Sequence, residues 1–111
     1  MLGAGNAAGA ARHCEISLEQ YPGDANLLCL SARAHIAQKE FEAARQRIKE
    51  AIRLFPDFAI AHETLGDLML LESNVSKAMA AFQTAMRLDP TRPSPGKKIE
   101  YVRKLQKDGI T

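Results

Sequence analysis

Three prolines, Pro22, Pro56 and Pro90, stand 34 residues apart, inside the segments EQYPGDA, RLFPDFA and RLDPTRP. That fixed spacing constrains the fold more than any single motif, because a repeated unit of this size buries its apolar face against its neighbours. Laying residues 25–58 on 59–92 pairs Ala25 with Ala59, Ala44 with Ala78, Ala51 with Ala85, Arg53 with Arg87, Leu54 with Leu88 and Pro56 with Pro90. Each window divides into two amphipathic helical segments, a short polar break and a closing proline. In the first, Leu27, Leu28, Leu30, Ala32, Ala34, His35 and Ile36 form one helix, capped by Asp24 and ended by QKEF. Ala44, Ile48, Ala51, Ile52 and Phe55 then recur at spacings of three and four. In the second, Asp57 is expected to cap a helix from Ala59 to about Glu72, and SNVS supplies a turn and a new cap. Ala78, Phe82, Ala85 and Met86 line the helix that follows. Proline cannot continue a helix, so each unit stops where it stands.

The expected fold is therefore all-α, a short solenoid of antiparallel helix hairpins with about five to six helices. Composition agrees: 46% of the residues are apolar, enough for a core, with four phenylalanines, two tyrosines and no tryptophan. One domain is expected over 1–111, divided into a partial repeat at 1–24, repeats at 25–58 and 59–92, and a closing helix at 93–111. In that last segment Ser94 is read as the cap and Pro95 as the first helical residue, with Ile99, Val102 and Leu105 on one face.

The second window resembles a tetratricopeptide repeat. The family pattern W-x-x-L-G-x-x-Y, then A-x-x-x-F, then A and P, is met in spacing by His62, Leu65, Gly66, Met69, Ala78, Phe82, Ala85 and Pro90. It departs in residue type at His62 and Met69, where aromatics are usual. The first window follows it less well through Leu28, Ser31, Ala32, His35, Ala44, Ile48, Ala51 and Pro56. Gly66, Ala32, Ala44 and Ala78 fall where two helices approach closely and a larger side chain would part them. Leu65, Phe82, Ile48 and Leu88 are expected to fill the grooves between.

Nothing in the sequence assembles a catalytic site, and the expectation is a chain that is not an enzyme and holds no cofactor and no metal. His13, Cys14 and Glu15 are consecutive, and helical neighbours point about 100° apart, so they form no nucleophile–base pair with one another. Cys14 occupies a core position of the pattern, and Cys14 and Cys29 have neither CxxC spacing nor the density of a disulfide framework. PSPGKK lacks the upstream glycine and following Ser or Thr of a phosphate loop. The balance of 15 basic against 13 acidic residues does not point to nucleic acid, although residues 96–111 are basic. No run of 18 apolar residues suggests a membrane span, and a cytoplasmic location is expected.

The resemblance implies a protein-interaction module, whose first helices line a concave face that holds a peptide or a partner's helix. By position that face would show Cys29, Arg33 and Ile36, then Ile60, Glu63, Asp67 and Leu70, then Lys97, Tyr101 and Lys104. Glu63 and Asp67 are like charges one turn apart, to be met by a basic side chain of a bound peptide, by Lys97 and Lys104, or simply by water. The family's carboxylate clamp uses lysine and asparagine pairs. Here Cys29, Arg33, Thr64, Lys97 and Tyr101 hold its places, and with Glu63 and Asp67 in the groove an acidic tail is expected to be repelled. Two other readings compete. The first is a scaffold that self-assembles into a homo-oligomer through an apolar edge at Cys14 and Leu18. The second is a repeat segment of a larger enzyme, such as a bacterial transferase.

Overall fold

The structure, a computed structural model, describes residues 4–108. Residues 1–3 and 109–111, included in the expected first and last segments, lie outside the described residues. Every described element is an α-helix: α1 (Ala4–Gln20), α2 (Ala25–Ala37), α3 (Phe41–Leu54), α4 (Ala59–Leu71), α5 (Val75–Leu88) and α6 (Pro93–Lys107). The fold is the all-α hairpin repeat that the periodicity predicts. The chain groups into two compact units, Met1–Pro56 with α1–α3 and Asp57–Thr111 with α4–α6.

The 34-residue period is written into the backbone. Among the described residues, Lys39 and Ser73, 34 positions apart, are the non-glycine residues with positive φ, at 63° and 62°. Each sits just past the C-terminus of the first helix of a hairpin. There Lys39 N–H donates to Ile36 C=O and Glu40 N–H to His35 C=O, both at 2.9 Å. Ser73 N–H likewise donates to Leu70 C=O at 3.0 Å and Asn74 N–H to Met69 C=O at 2.8 Å. These paired bonds satisfy carbonyls that the helix end would leave open, and they require one left-handed residue. The second helices also end alike: Tyr21, Phe55 and Asp89 donate their N–H to Ser17, Ala51 and Ala85 at 3.0, 2.8 and 3.0 Å.

Capping follows the sequence at two helices and departs from it at two. Asp24 Oδ1 accepts from Leu27 N–H at 3.0 Å, and Asn74 Oδ1 accepts from Lys77 N–H at 3.3 Å. Asp57, expected to cap α4, lies one residue too early; the cap position is Phe58, which makes no side-chain bond. Ser94 and Pro95 do not open α6 either: Arg92 is the cap residue and Pro93 the first helical one. Asp89 explains the earlier start. Its Oδ1 accepts from both the N–H (3.2 Å) and the Oγ1–H (2.6 Å) of Thr91. Its carbonyl takes Arg92 N–H at 3.2 Å, closing a tight turn. Pro93 then stands where the helix has no use for an N–H.

Small residues hold the helix seams. Ala32, Ala44 and Ala78 are fully buried, as are Ile48 and Phe82. Of the apolar edge expected around Cys14 and Leu18, these two are themselves only 7% and 5% exposed, sharing a face of α1 with buried Ala11, while their neighbour Ile16 is exposed. In unit 2, Ala78, Phe82, Ile99 and Val102 form one apolar cluster flanked by Met69, Leu70, Val75 and Met79. Phe82 lies directly on Gly66. A methyl built there would stand 2.6 Å from Cδ1 and 2.9 Å from Cζ of the ring, closer than atoms pack.

Gly66→Ala should therefore destabilise the protein by about 1–3 kcal/mol, although alanine is the better helix former. In Gly66→Ala/Phe82→Leu the two costs should not add, because the smaller side chain vacates the clash. Urea unfolding of the wild type, both single variants and the double variant measures this; additive losses would mean that the methyl meets no ring.

Candidate protein-interaction surface

Each unit is pinned by one carboxylate. In unit 1 it is Glu15 of α1, which gathers α2 and α3. Ser31 Oγ donates to its Oε1 at 2.9 Å, His35 Nε2 lies 3.3 Å from the same oxygen, and Arg47 Nε donates at 3.2 Å. Arg47 Nη2 completes the fork on Oε2. The other ring nitrogen of His35 meets Glu40 Oε1 at 2.9 Å, so His35 packs at its repeat position and also bridges two carboxylates. Burial pushes the Glu15 carboxyl up, but the bonds from Ser31, His35 and Arg47 outweigh it and hold the group below its ordinary range.

In unit 2 the corresponding group is Glu63 of α4, only 6% exposed. Arg92 Nη2 donates to its Oε1 at 2.9 Å and Lys98 Nζ to its Oε2 at 2.6 Å. Lys98 also reaches Asp67 at 2.9 Å, one turn further along α4, and lies 5.8 Å from the centre of the Phe82 ring. Desolvation raises the Glu63 carboxyl, and the bonds from Lys98 and Arg92 overcome it, so the net displacement is downward.

This geometry corrects the expected charge pairing. The cations that meet Glu63 and Asp67 are Lys98 and Arg92, while Lys97 and Lys104 are exposed. The reason is helical phase. Lys98 stands about 40° from buried Val102 around the axis of α6, whereas Lys97 stands about 140° away. The stripe Ile99–Val102 carries that information in the sequence; alignment to the family pattern concealed it. Two carboxylates and two cations cancel, so the repulsion expected against an acidic tail is removed. Thr64, at a clamp position, is 2% exposed and donates its Oγ1–H to Ile60 C=O at 2.8 Å.

The expected surface residues thus fall into different settings. Cys29 is 2% exposed and its thiol is pushed up to about 11, chiefly by burial and against the pull of Arg33, so it presents no reactive group. Glu63 is buried in its ion cluster and Asp67 is half-buried beside it. Arg33 is exposed and Ile36 half-buried on α2. Ile60 and Leu70 are half-buried on α4, Leu70 against the Phe82 cluster. Lys97, Tyr101 and Lys104 are exposed on α6. Among the described residues no group of three or more His, Cys, Asp or Glu side chains could hold a metal ion, and no helix is long and apolar enough to cross a membrane.

A carboxyl held below its ordinary value in the folded protein stabilises it fully above the unfolded value, and that contribution is lost as pH falls through the lower, folded one. Unfolding free energy should therefore drop on acidification below about pH 5. Glu63→Gln should cost on the order of 1–3 kcal/mol at pH 7, since Arg92 and Lys98 lose their partner but keep some access to water. That deficit should shrink toward low pH, where the wild-type group is protonated as well. Denaturant unfolding of both proteins between pH 7 and pH 3 is the check, and a deficit independent of pH would contradict the assignment.

Comparison with known proteins places the repeat. A family model described as tetratricopeptide repeat matches residues 29–93. No curated protein matches closely enough to count as a relative. Among solved structures, the first tetratricopeptide repeat domain of human RPAP3 aligns at a TM-score of 0.84 and 15% identity, covering 94% of this chain and 82% of that one. The first repeat domain of Spaghetti (RPAP3), bound to the HSP90 peptide SRMEEVD, aligns at 0.80 and 16%, covering 92% and 81%. Naa15/Naa10 bound to HypK-THB contains a similar stretch, with a TM-score of 0.82 and 20% identity over 93% of this chain and 16% of that one. With the family model spanning both hairpins and their 34-residue period, the chain belongs to the tetratricopeptide repeat family.

Proposed function

We propose that the chain is a non-catalytic protein–protein interaction module that holds a peptide or a partner helix on the concave face its family uses. The observation that supports this reading best is the family itself, with a similar domain seen holding the peptide SRMEEVD. In unit 2 the contributing side chains would be Ile60 and Leu70 of α4 and Tyr101 of α6 with Lys97 and Lys104 beside it; in unit 1 they would be Arg33 and Ile36 of α2. Glu63 and Asp67 contribute no free charge, because Lys98 and Arg92 already hold them. The partner is therefore recognised through aliphatic and aromatic contacts, and Arg33, Lys97 and Lys104 supply cations at the margin. A clamp on a terminal carboxylate is disfavoured by the absence of its asparagines and by the burial of Cys29 and Thr64.

Peptides selected from a random displayed library against the purified chain, with SRMEEVD as comparison, provide the test. The selected peptides should shift the amides of Ile36, Ile60, Leu70 and Tyr101. Ile36→Ala and Tyr101→Ala should each weaken them about tenfold. SRMEEVD should bind at least about tenfold more weakly than the selected set. Selected peptides indifferent to both substitutions would contradict the proposed surface, and tight binding of SRMEEVD would contradict the proposed chemistry.

A further inference from the structure

The seam between α1 and α2 is open on one side. A cleft of about 400 Å³ lies there, lined by Ala10, His13 and Cys14 from α1 and by Leu30, Arg33 and Ala34 from α2. The sequence makes it open. Positions 10 and 14 of α1 face positions 30 and 34 of α2 across the seam, and three of the four are small. In unit 2 a phenylalanine fills the space over a glycine; here no large side chain of the described residues does so. Leu30 stands at the wall, 50% exposed. The floor is apolar and the volume falls in the roughly 300–1,000 Å³ range of sites that bury a ligand.

Among the lining residues Arg33 carries the charge. Arg33 is exposed and makes no hydrogen bond or ion pair with any described residue. His13 lines the cleft from the α1 side and is exposed. The neighbouring carboxylate, Glu15, is occupied by Ser31, His35 and Arg47. An apolar trough between two packed helices, with a cation at its lip, has the form that receives a third helix.

We propose that this cleft binds an acidic amphipathic helix of a partner protein, whose small or aliphatic side chains enter between Ala10, Ala34 and Leu30 while a flanking carboxylate pairs with Arg33. A second copy of this chain fits poorly. On α3, Glu42 and Glu50 are already paired with Arg45 and Arg53, and exposed α6 is basic. The site lies on the α1–α2 seam and needs none of the α4 or α6 residues of the proposed peptide surface.

Two synthetic helical peptides with the same Leu/Ala stripe at spacings of three and four, one flanked by Glu and the other by Lys, provide the probes, with fluorescence anisotropy on the full chain as readout. The Glu peptide should bind at least about tenfold more tightly than the Lys peptide, and added salt should narrow the gap. Leu30→Glu and the milder Leu30→Gln, at a half-exposed position, should both weaken it, Leu30→Glu by about tenfold or more. Arg33→Glu should invert the preference between the two peptides, and Tyr101→Ala should change neither affinity. Three results would overturn the proposal: binding of neither peptide, equal binding of both, or indifference to the Leu30 and Arg33 substitutions. Light scattering that shows a dimer abolished by Leu30→Glu would overturn it too, making the cleft a contact between copies. Sensitivity to Tyr101→Ala would also overturn it, by returning the binding to the other surface.

Discussion

Unit 2 depends on the seat of Phe82 on Gly66. Removing one side chain from α4 lets α5 bring an aromatic ring to the helix backbone, and burying such a ring contributes about 1.5–3 kcal/mol. The same ring supports the next layer. Ile99 and Val102 of α6 join its apolar cluster, and its π-system lies near the Lys98 ammonium. Lys98 then ties to Glu63 and Asp67, which flank Gly66 in sequence. Packing and charge are thus arranged around one small residue.

The electrostatics bear directly on function. An acidic pair on the first helix of a repeat reads as a receptor for a basic ligand. With Arg92 and Lys98 at hydrogen-bond distance it is instead a clasp between α4 and α6. Glu15 does the same for α1, α2 and α3. Both carboxylates are held by charge-assisted bonds that offset their desolvation, which makes them fixtures of the fold. The chemistry left for a partner is aliphatic, aromatic and, at Arg33, Lys97 and Lys104, cationic.

Much of this was legible in the residues. The period that sets Pro22, Pro56 and Pro90 apart also sets the left-handed Lys39 and Ser73 and the closing bonds at Ser17, Ala51 and Ala85. A period is visible in sequence because the same backbone problem is solved at each turn. The cap at Asp24 was legible as well, since a short polar side chain before an apolar helix has few other uses. What escaped depended on single-residue register or on distant partners. Asp57 and Ser94 have the right chemistry one or two places from the cap. Lys98 and Lys97 are adjacent lysines that only the phase of Ile99 and Val102 separates. The Glu15 cluster joins residues 16, 20 and 32 positions apart, a contact no local pattern reveals.

Held through Phe82 and Glu63, α6 is part of the cooperative body of unit 2 rather than a helix laid loosely against it. Native-state hydrogen exchange tests that most directly. The amides of Ile99 and Val102 should open with the same free energy as those of Phe82 and Ala85, and in Lys98→Met all four should lose protection together. If α6 exchanges well before α5, or loses protection alone in the variant, then the clasp does not hold the unit, and Glu63 and Asp67 return as candidates for contact with a partner.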